Sequence, residues 1–332
     1  MTKTNVKTTR SINRIALASV ACVLTTTHGI CSPIVLHPAG DIAIQERDLI
    51  LASMALMLII IVPVMALTVL FASRYRYSNQ STAYDPEWHH STRLELMIWG
   101  GPLVIVACLG ALTWFATHAL DPYQPISRLA PGRPVSAETR ALTVEVVALD
   151  WKWLFIYPDL GIATVNELAV PIDTPIDFRI TAASVMNSFS IPAMAGQIYA
   201  MPGMETQLHG VFNASGTYDG FSANFSGAGF SDMRFRARAM PPAAFAQWVG
   251  QTRATVGGLG KSQYLSLAQP SQAEPVRRFG SVDPDLYRSV LNRCVVAGQP
   301  CLDGQKPDKA PSTPPVAAVA TMAPPDQHHL PP

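Results

Sequence analysis

Two stretches of the chain, Leu49 to Ala72 and Leu96 to Thr117, contain no charged residue and stay apolar far beyond the length of an ordinary strand. At ~1.5 Å of rise per residue, a helix over either stretch is long enough to cross the ~30 Å hydrocarbon core of a bilayer. The pattern therefore predicts transmembrane helices over residues 49–72 and 96–117. Pro63 and Pro102 do not argue against this, because neighbouring groups in a membrane re-satisfy the backbone that a proline frees. The connecting segment, residues 73–95, holds Arg74, Arg76 and Arg93, whereas the flank after the second stretch offers Asp121 and no early base. Positive charge favours the cytoplasm, so the short loop is read as cytoplasmic and both ends of the mature chain as periplasmic.

Beyond Pro122 the periodicity changes. Turn-rich sequence through Pro134 leads to Val144–Tyr157, rich in β-branched and aromatic residues, and short strand patterns follow near Pro175–Ile180, Asn187–Ile191 and Thr206–Phe212. From Met233 to Ala239, Arg234, Arg236 and Arg238 alternate with Phe235, Ala237 and Ala239, which puts three bases on one face of a strand. Residues 122–250 thus read as an all-β sandwich or barrel with one solvated face. A small region with helical stretches such as Pro284–Arg293 occupies residues 251–302 and is expected to pack over the outer face. The Pro- and Ala-rich tail 303–332 has no periodic apolar content and is expected to be disordered.

Composition agrees with a membrane protein. A hydrophobic content of 48%, a charged content of 14% and a mean hydropathy of +0.20 are too apolar for a soluble chain of 332 residues. A net charge of +1 gives no surplus of bases for nucleic acid. Residues 1–30 open with Lys3, Lys7, Arg10 and Arg14, continue with the apolar run Ile15–Leu24 and end in small and polar residues, the layout of an export signal. Cys294 and Cys301 would then lie close together in an oxidising compartment, where a local disulfide can form. Cys108, inside an apolar helix, reads as a packing residue, and His328-His329 is too isolated to make a metal site.

The stretch Gly220–Met233, Gly-Phe-Ser-Ala-Asn-Phe-Ser-Gly-Ala-Gly-Phe-Ser-Asp-Met, has the frame of a dinuclear copper loop, Cys-x-x-x-Cys-x-x-x-His-x-x-Met with a second His upstream. The two thiolate positions are Ser222 and Ser226, the loop imidazole is Phe230, the upstream imidazole is Asn187, and only Met233 keeps a ligating side chain. With this loop the chain resembles subunit II of the cytochrome bo-type ubiquinol oxidases, the quinol-using branch of the haem–copper oxidases, from about Cys31 to about Cys294.

The resemblance implies a membrane-anchored all-β chain, a two-helix transmembrane hairpin followed by a cupredoxin-like Greek-key β-barrel. It implies no cofactor in this chain, with haems and copper held by a large subunit I, small membrane subunits and lipid as further partners, and ubiquinol as the substrate of the complex. Glu95, four residues before Trp99 and seven before Pro102, stands where the family has the cytoplasmic mouth of a proton path. A carboxylate there also complements the positive end of a helix dipole, and both readings stand. Cys31 occupies the place of the family's lipid-modified cysteine, although Ile30 replaces the small residue that processing prefers. Trp151 and Trp153 flank Lys152 where the family has an aromatic cluster, with core packing as the competing role. A rival function from another class is an independent membrane-anchored binding or assembly protein on the same fold, for which Met201, Met204 and Met233 are the soft candidates.

Overall fold

The computed structural model describes residues 34–305, apart from 78, 80–86, 88 and 137–138. The export signal, Cys31, His328-His329 and most of the predicted tail lie outside these residues. Helix α1 spans Asp41–Arg74 and α2 spans Thr92–Ala119. By length and composition both are able to cross a membrane, and their apolar windows are unburied, with Leu96 at 74% and Trp99 at 78% exposure. Helix α1 starts at Asp41 rather than Leu49 because its first turns belong to the β domain. Ala39 N–H donates to Ala193 O at 2.7 Å, Ala43 N–H to Met194 O at 3.2 Å, and the buried Asp41 carboxylate takes the Arg128 guanidinium at 2.8 Å. A Cβ at Gly40 would stand 2.2 Å from Val211 O, so only glycine lets the helix start so close to that backbone.

The β domain is built from eleven principal strands. They are β1 Leu142–Leu149, β2 Lys152–Tyr157, β3 Ile162–Val165, β4 Glu167–Pro171, β5 Ile176–Ala182, β6 Asn187–Ile191, β7 Ala195–Ala200, β8 Thr206–Gly210, β9 Gly216–Ser222, β10 Arg234–Met240 and β11 Arg277–Phe279. One sheet has the order β8-β5-β1-β2-β3-β11 and the other β4-β10-β9-β6-β7. Pairing is antiparallel except for β1 with β5 and β10 with β4, where the chain crosses between sheets and returns, as in a Greek key. The run Val144–Tyr157 is two strands, because Asp150 and Trp151 turn the chain and Trp151 adopts φ 65°.

Between the sheets lies an aromatic core. Trp153 and Phe235 both pack on Phe189, at centroid separations of 5.3 and 5.4 Å, and aromatic pairs of this kind add ~0.5–1.5 kcal/mol each beyond burial.

The expectation of one solvated face is corrected for the six-stranded sheet. Its outer face, Val147, Leu149, Leu154, Ile156, Ala163 and Val165, is buried against Leu259, Tyr264, Leu267, Leu286, Tyr287 and Val290 of the C-terminal region. The near-continuous apolar run of β1 and β2 is the mark of strands covered on both sides. Helix α3 Pro242–Arg253, whose Trp248 and Val249 pack into the inner core, leads to that region, which comprises α4 Lys261–Leu267, β11 and α5 Leu286–Leu291. Lys152, 1% exposed, fastens it by donating from Nζ to Gln269 O at 2.8 Å and to Ser271 Oγ. Burial lowers the pKa of this ammonium, against the pull of Glu274.

Cys294 and Cys301 form a disulfide. Just beyond it, Leu302–Gln305 makes a 3-10 turn in which Asp303 accepts from Asn292 Nδ2 at 2.6 Å. Asp303, the first residue of the tail expected from composition, thus has its side chain held by the domain.

Candidate functional site

The loop from Ser222 to Met233 is closed at its neck by Ser222 N–H donating to Met233 O at 3.1 Å. Met233 N–H donates back to Phe230 O at 3.1 Å, forming a short 3-10 turn over Phe230–Asp232. Asn187, the first residue of β6, reaches Ser222, the last of β9, with Ser222 Oγ 3.2 Å from Asn187 Oδ1 and equally 3.2 Å from Asn224 O. The Asn187 amide donates to Val185 O at 3.1 Å. Ser226 Oγ lies 3.9 Å from Met233 Sδ, and Met233 is wholly buried in the core. Phe230 instead packs edge-on against Phe225, with centroids 5.6 Å apart.

Five sequence-predicted positions thus gather at one tip of the barrel. Their polar groups are an amide, two hydroxyls and a buried thioether, bonded to each other and to the loop backbone. Trp151 braces this tip, its Nε1–H donating to Ser226 O at 3.1 Å, and a Cβ at Gly229 would come within 2.5 Å of its ring. Trp153 is wholly buried in the core, against which Trp151 also packs. Residues two apart in a strand share a face, so it is the turn before β2, with Trp151 at φ 65°, that carries the Trp151 ring to the loop at the edge of the same core.

Glu95 stands in the first turn of α2. Its Oε1 is 3.0 Å from His90 Nδ1, and His90 Nε2 is 3.1 Å from Thr92 Oγ1. Both partners remain about half exposed, at 57% for Glu95 and 58% for His90. Sequence reasoning singled out the carboxylate and assigned nothing to His90. The one available signal was its spacing five residues ahead, which a chain folding back over the helix start brings within reach.

The arginine stripe is exposed, as alternation predicts, but two of its three members are ion-paired, and Arg234 donates to Ser231 O. Arg236 bonds Asp219, and Arg238 bonds Glu167 at 3.0 Å. Arg278 of β11 grips the same carboxylate at 2.7 and 2.9 Å. Burial pushes the Glu167 carboxyl up, but the two guanidiniums outweigh it and hold the pKa below its ordinary value.

Residues 157–240 match the family described as cytochrome c oxidase subunit II, periplasmic domain, and residues 253–298 match the COX aromatic-rich motif. Fold and sequence together define an oxidase second subunit with a cupredoxin-like outer domain. The chain is 47% identical over 265 residues to cytochrome bo(3) ubiquinol oxidase subunit 2 of Pseudomonas aeruginosa, covering 80% of this chain and 77% of that one. It is 46% identical over 261 residues to ubiquinol oxidase subunit 2 of Acetobacter aceti, covering 79% and 82%. Among solved structures it is similar to the periplasmic domain of subunit II of cytochrome oxidase of Bradyrhizobium japonicum, 26% identical over 34% of this chain and 94% of that one, with a TM-score of 0.33. The chain belongs to the quinol oxidase subunit 2 family of the haem–copper oxidases, and is a membrane subunit of a multi-subunit complex.

Proposed function

We propose that this chain is the second subunit of an inner-membrane terminal oxidase that oxidises ubiquinol, reduces oxygen to water and pumps protons, and that it contributes no redox centre of its own. The observation that carries this is the donor set at the barrel tip. A dinuclear copper centre needs bridging thiolates and imidazoles. Asn187, Ser222, Ser226 and Phe230 supply none of these, and the Asn187 and Ser222 side chains are already bonded to each other, to Val185 O and to Asn224 O. The residues do not fit the metal, so electrons are expected to pass from quinol to haems and copper of a large subunit I without crossing this domain.

The chain's own part is architectural, holding an outer domain over the large subunit through the α1–α2 hairpin with small membrane subunits and lipid around it. In the same reading the 73–95 loop faces the cytoplasm, Cys31 carries a lipid, and Glu95 collects protons for the large subunit. Metal analysis of the purified full chain tests the central point: substoichiometric copper and no near-infrared charge-transfer band are expected, and stoichiometric copper overturns it.

A further inference from the structure

A groove of about 420 Å³ runs between the start of β9, the end of β10 and the first turns of α3. Arg238 and Arg278 line it together with Thr217, Gln247, Gln251 and Trp248, and no Asp or Glu does. Thr217 and Arg238 are cross-strand neighbours, while Arg278 arrives from β11. The two guanidiniums are locked in place from behind by Glu167, whose carboxylate is 6% exposed. Arg238 spends Nη1 on it and Arg278 spends Nε and Nη2. Each guanidinium carries five N–H donors, so both keep donors for a further acceptor. Two guanidiniums against one carboxylate leave a positive site.

Helix α3 adds to it. Its N-cap is Pro241, without a side-chain cap, and Pro241 and Ala244 line the groove. Pro242 brings no N–H and Phe245 N–H donates to Pro241 O, so Ala244 N–H, near the positive end of the dipole, is the first-turn donor among the lining residues. Trp248, 4% exposed, lines the same groove, has Arg278 over its ring at 5.8 Å, and its Nε1–H has no partner among the described residues.

The geometry points to a binding site for a phosphate-class oxyanion in this groove, with Arg238 and Arg278 as its charged clamp. Locked guanidiniums, a hydroxyl, amides and a helix start suit a group that accepts on several oxygens at once, and a planar carboxylate uses fewer of them. The anion is either free phosphate or the headgroup of a phosphatidic-acid-like lipid.

The test is isothermal titration of inorganic phosphate into the detergent-purified full chain at low ionic strength. Saturable one-site binding is expected, weakened about tenfold or more by Arg238→Gln and by Gln247→Glu, since each good hydrogen bond to a charged group supplies roughly that factor. Gln247→Glu leaves the Glu167 network intact and places a carboxylate at the groove, so a loss there is not a folding defect; circular dichroism checks this. Absence of saturable binding in the parent chain, or equal binding in the Gln247→Glu chain, overturns the proposal. Repeating the titration in phosphatidylcholine nanodiscs with and without phosphatidic acid separates the sources. Competition by the lipid supports the site with a headgroup as ligand, and its absence supports the site with soluble phosphate.

Discussion

The barrel tip and the head of α2 are both inherited frames, and they differ in how much is satisfied within the chain. At the tip, Asn187, Ser222 and the Trp151 indole are bonded to neighbours in the same domain. At the head of α2, Glu95 and His90 meet each other and remain half open. A polar group closed within its own domain stabilises architecture, while an ionisable group left open at the end of an apolar helix marks an edge where another surface or a proton path is met. The tip is held by bonds within its domain, and the helix head keeps a titratable group with little form around it.

The sharpest way to break this contrast is to rebuild the tip. Ser222→Cys with Ser226→Cys alone is expected to hold no stoichiometric copper, whereas adding Asn187→His and Phe230→His converts the loop to a metal-binding one. Copper per chain, measured by elemental analysis, separates the two, and full loading of the double variant shows that the imidazole positions are dispensable.

A second test presses on the turnover side. Glu95→Gln keeps the shape and removes the titratable group, so quinol-driven oxygen reduction per haem is expected to fall about tenfold or more if Glu95 transfers protons. Unchanged turnover, with at most ~1 kcal/mol lost in stability, leaves it as a charge at the helix end.

Architecture at the tip is probed by Gly229→Ala, whose added carbon meets the Trp151 ring at 2.5 Å. Displacing a packed indole is expected to cost about 1–3 kcal/mol, read as a lowered unfolding midpoint. An unchanged midpoint shows that the brace is not structural.

The smallest effect concerns Glu145 on β1. Burial, with Glu205 and Asp159 adding to it and Arg179 opposing, raises its carboxyl from 4.5 to about 7. A raised acid favours the fold while protonated, so its contribution is complete below 4.5 and declines as pH rises through about 7. Thermal melts across that window are expected to show the midpoint falling with pH, and Glu145→Gln to flatten the trend. A parallel slope in the variant assigns the effect elsewhere.

Much of this molecule is legible in one dimension. The charge-free runs through α1 and α2 are long enough that nothing but a membrane or a very large core accommodates them, and alternation in β10 fixes which side its arginines take. The copper frame is equally local, because ligand spacing within one loop is a property of the chain itself.

Other features needed the fold. The run Val144–Tyr157 is apolar on both faces, and although residues 251–302 are expected over the outer face, nothing local says which of their side chains meet which strand. Asp41 looks like part of a polar lead-in, yet its buried carboxylate meets the partly exposed Arg128 across 87 residues. Glu167, Arg238 and Arg278 carry no mutual signal, since β10 meets β4 in parallel and β11 arrives only through β3. Sequence alone determined what depends on length, period and spacing, because these are set by the covalent chain. Tertiary structure decided which distant charges share a partner and which faces are covered, because those energies arise only once separate segments exclude water together.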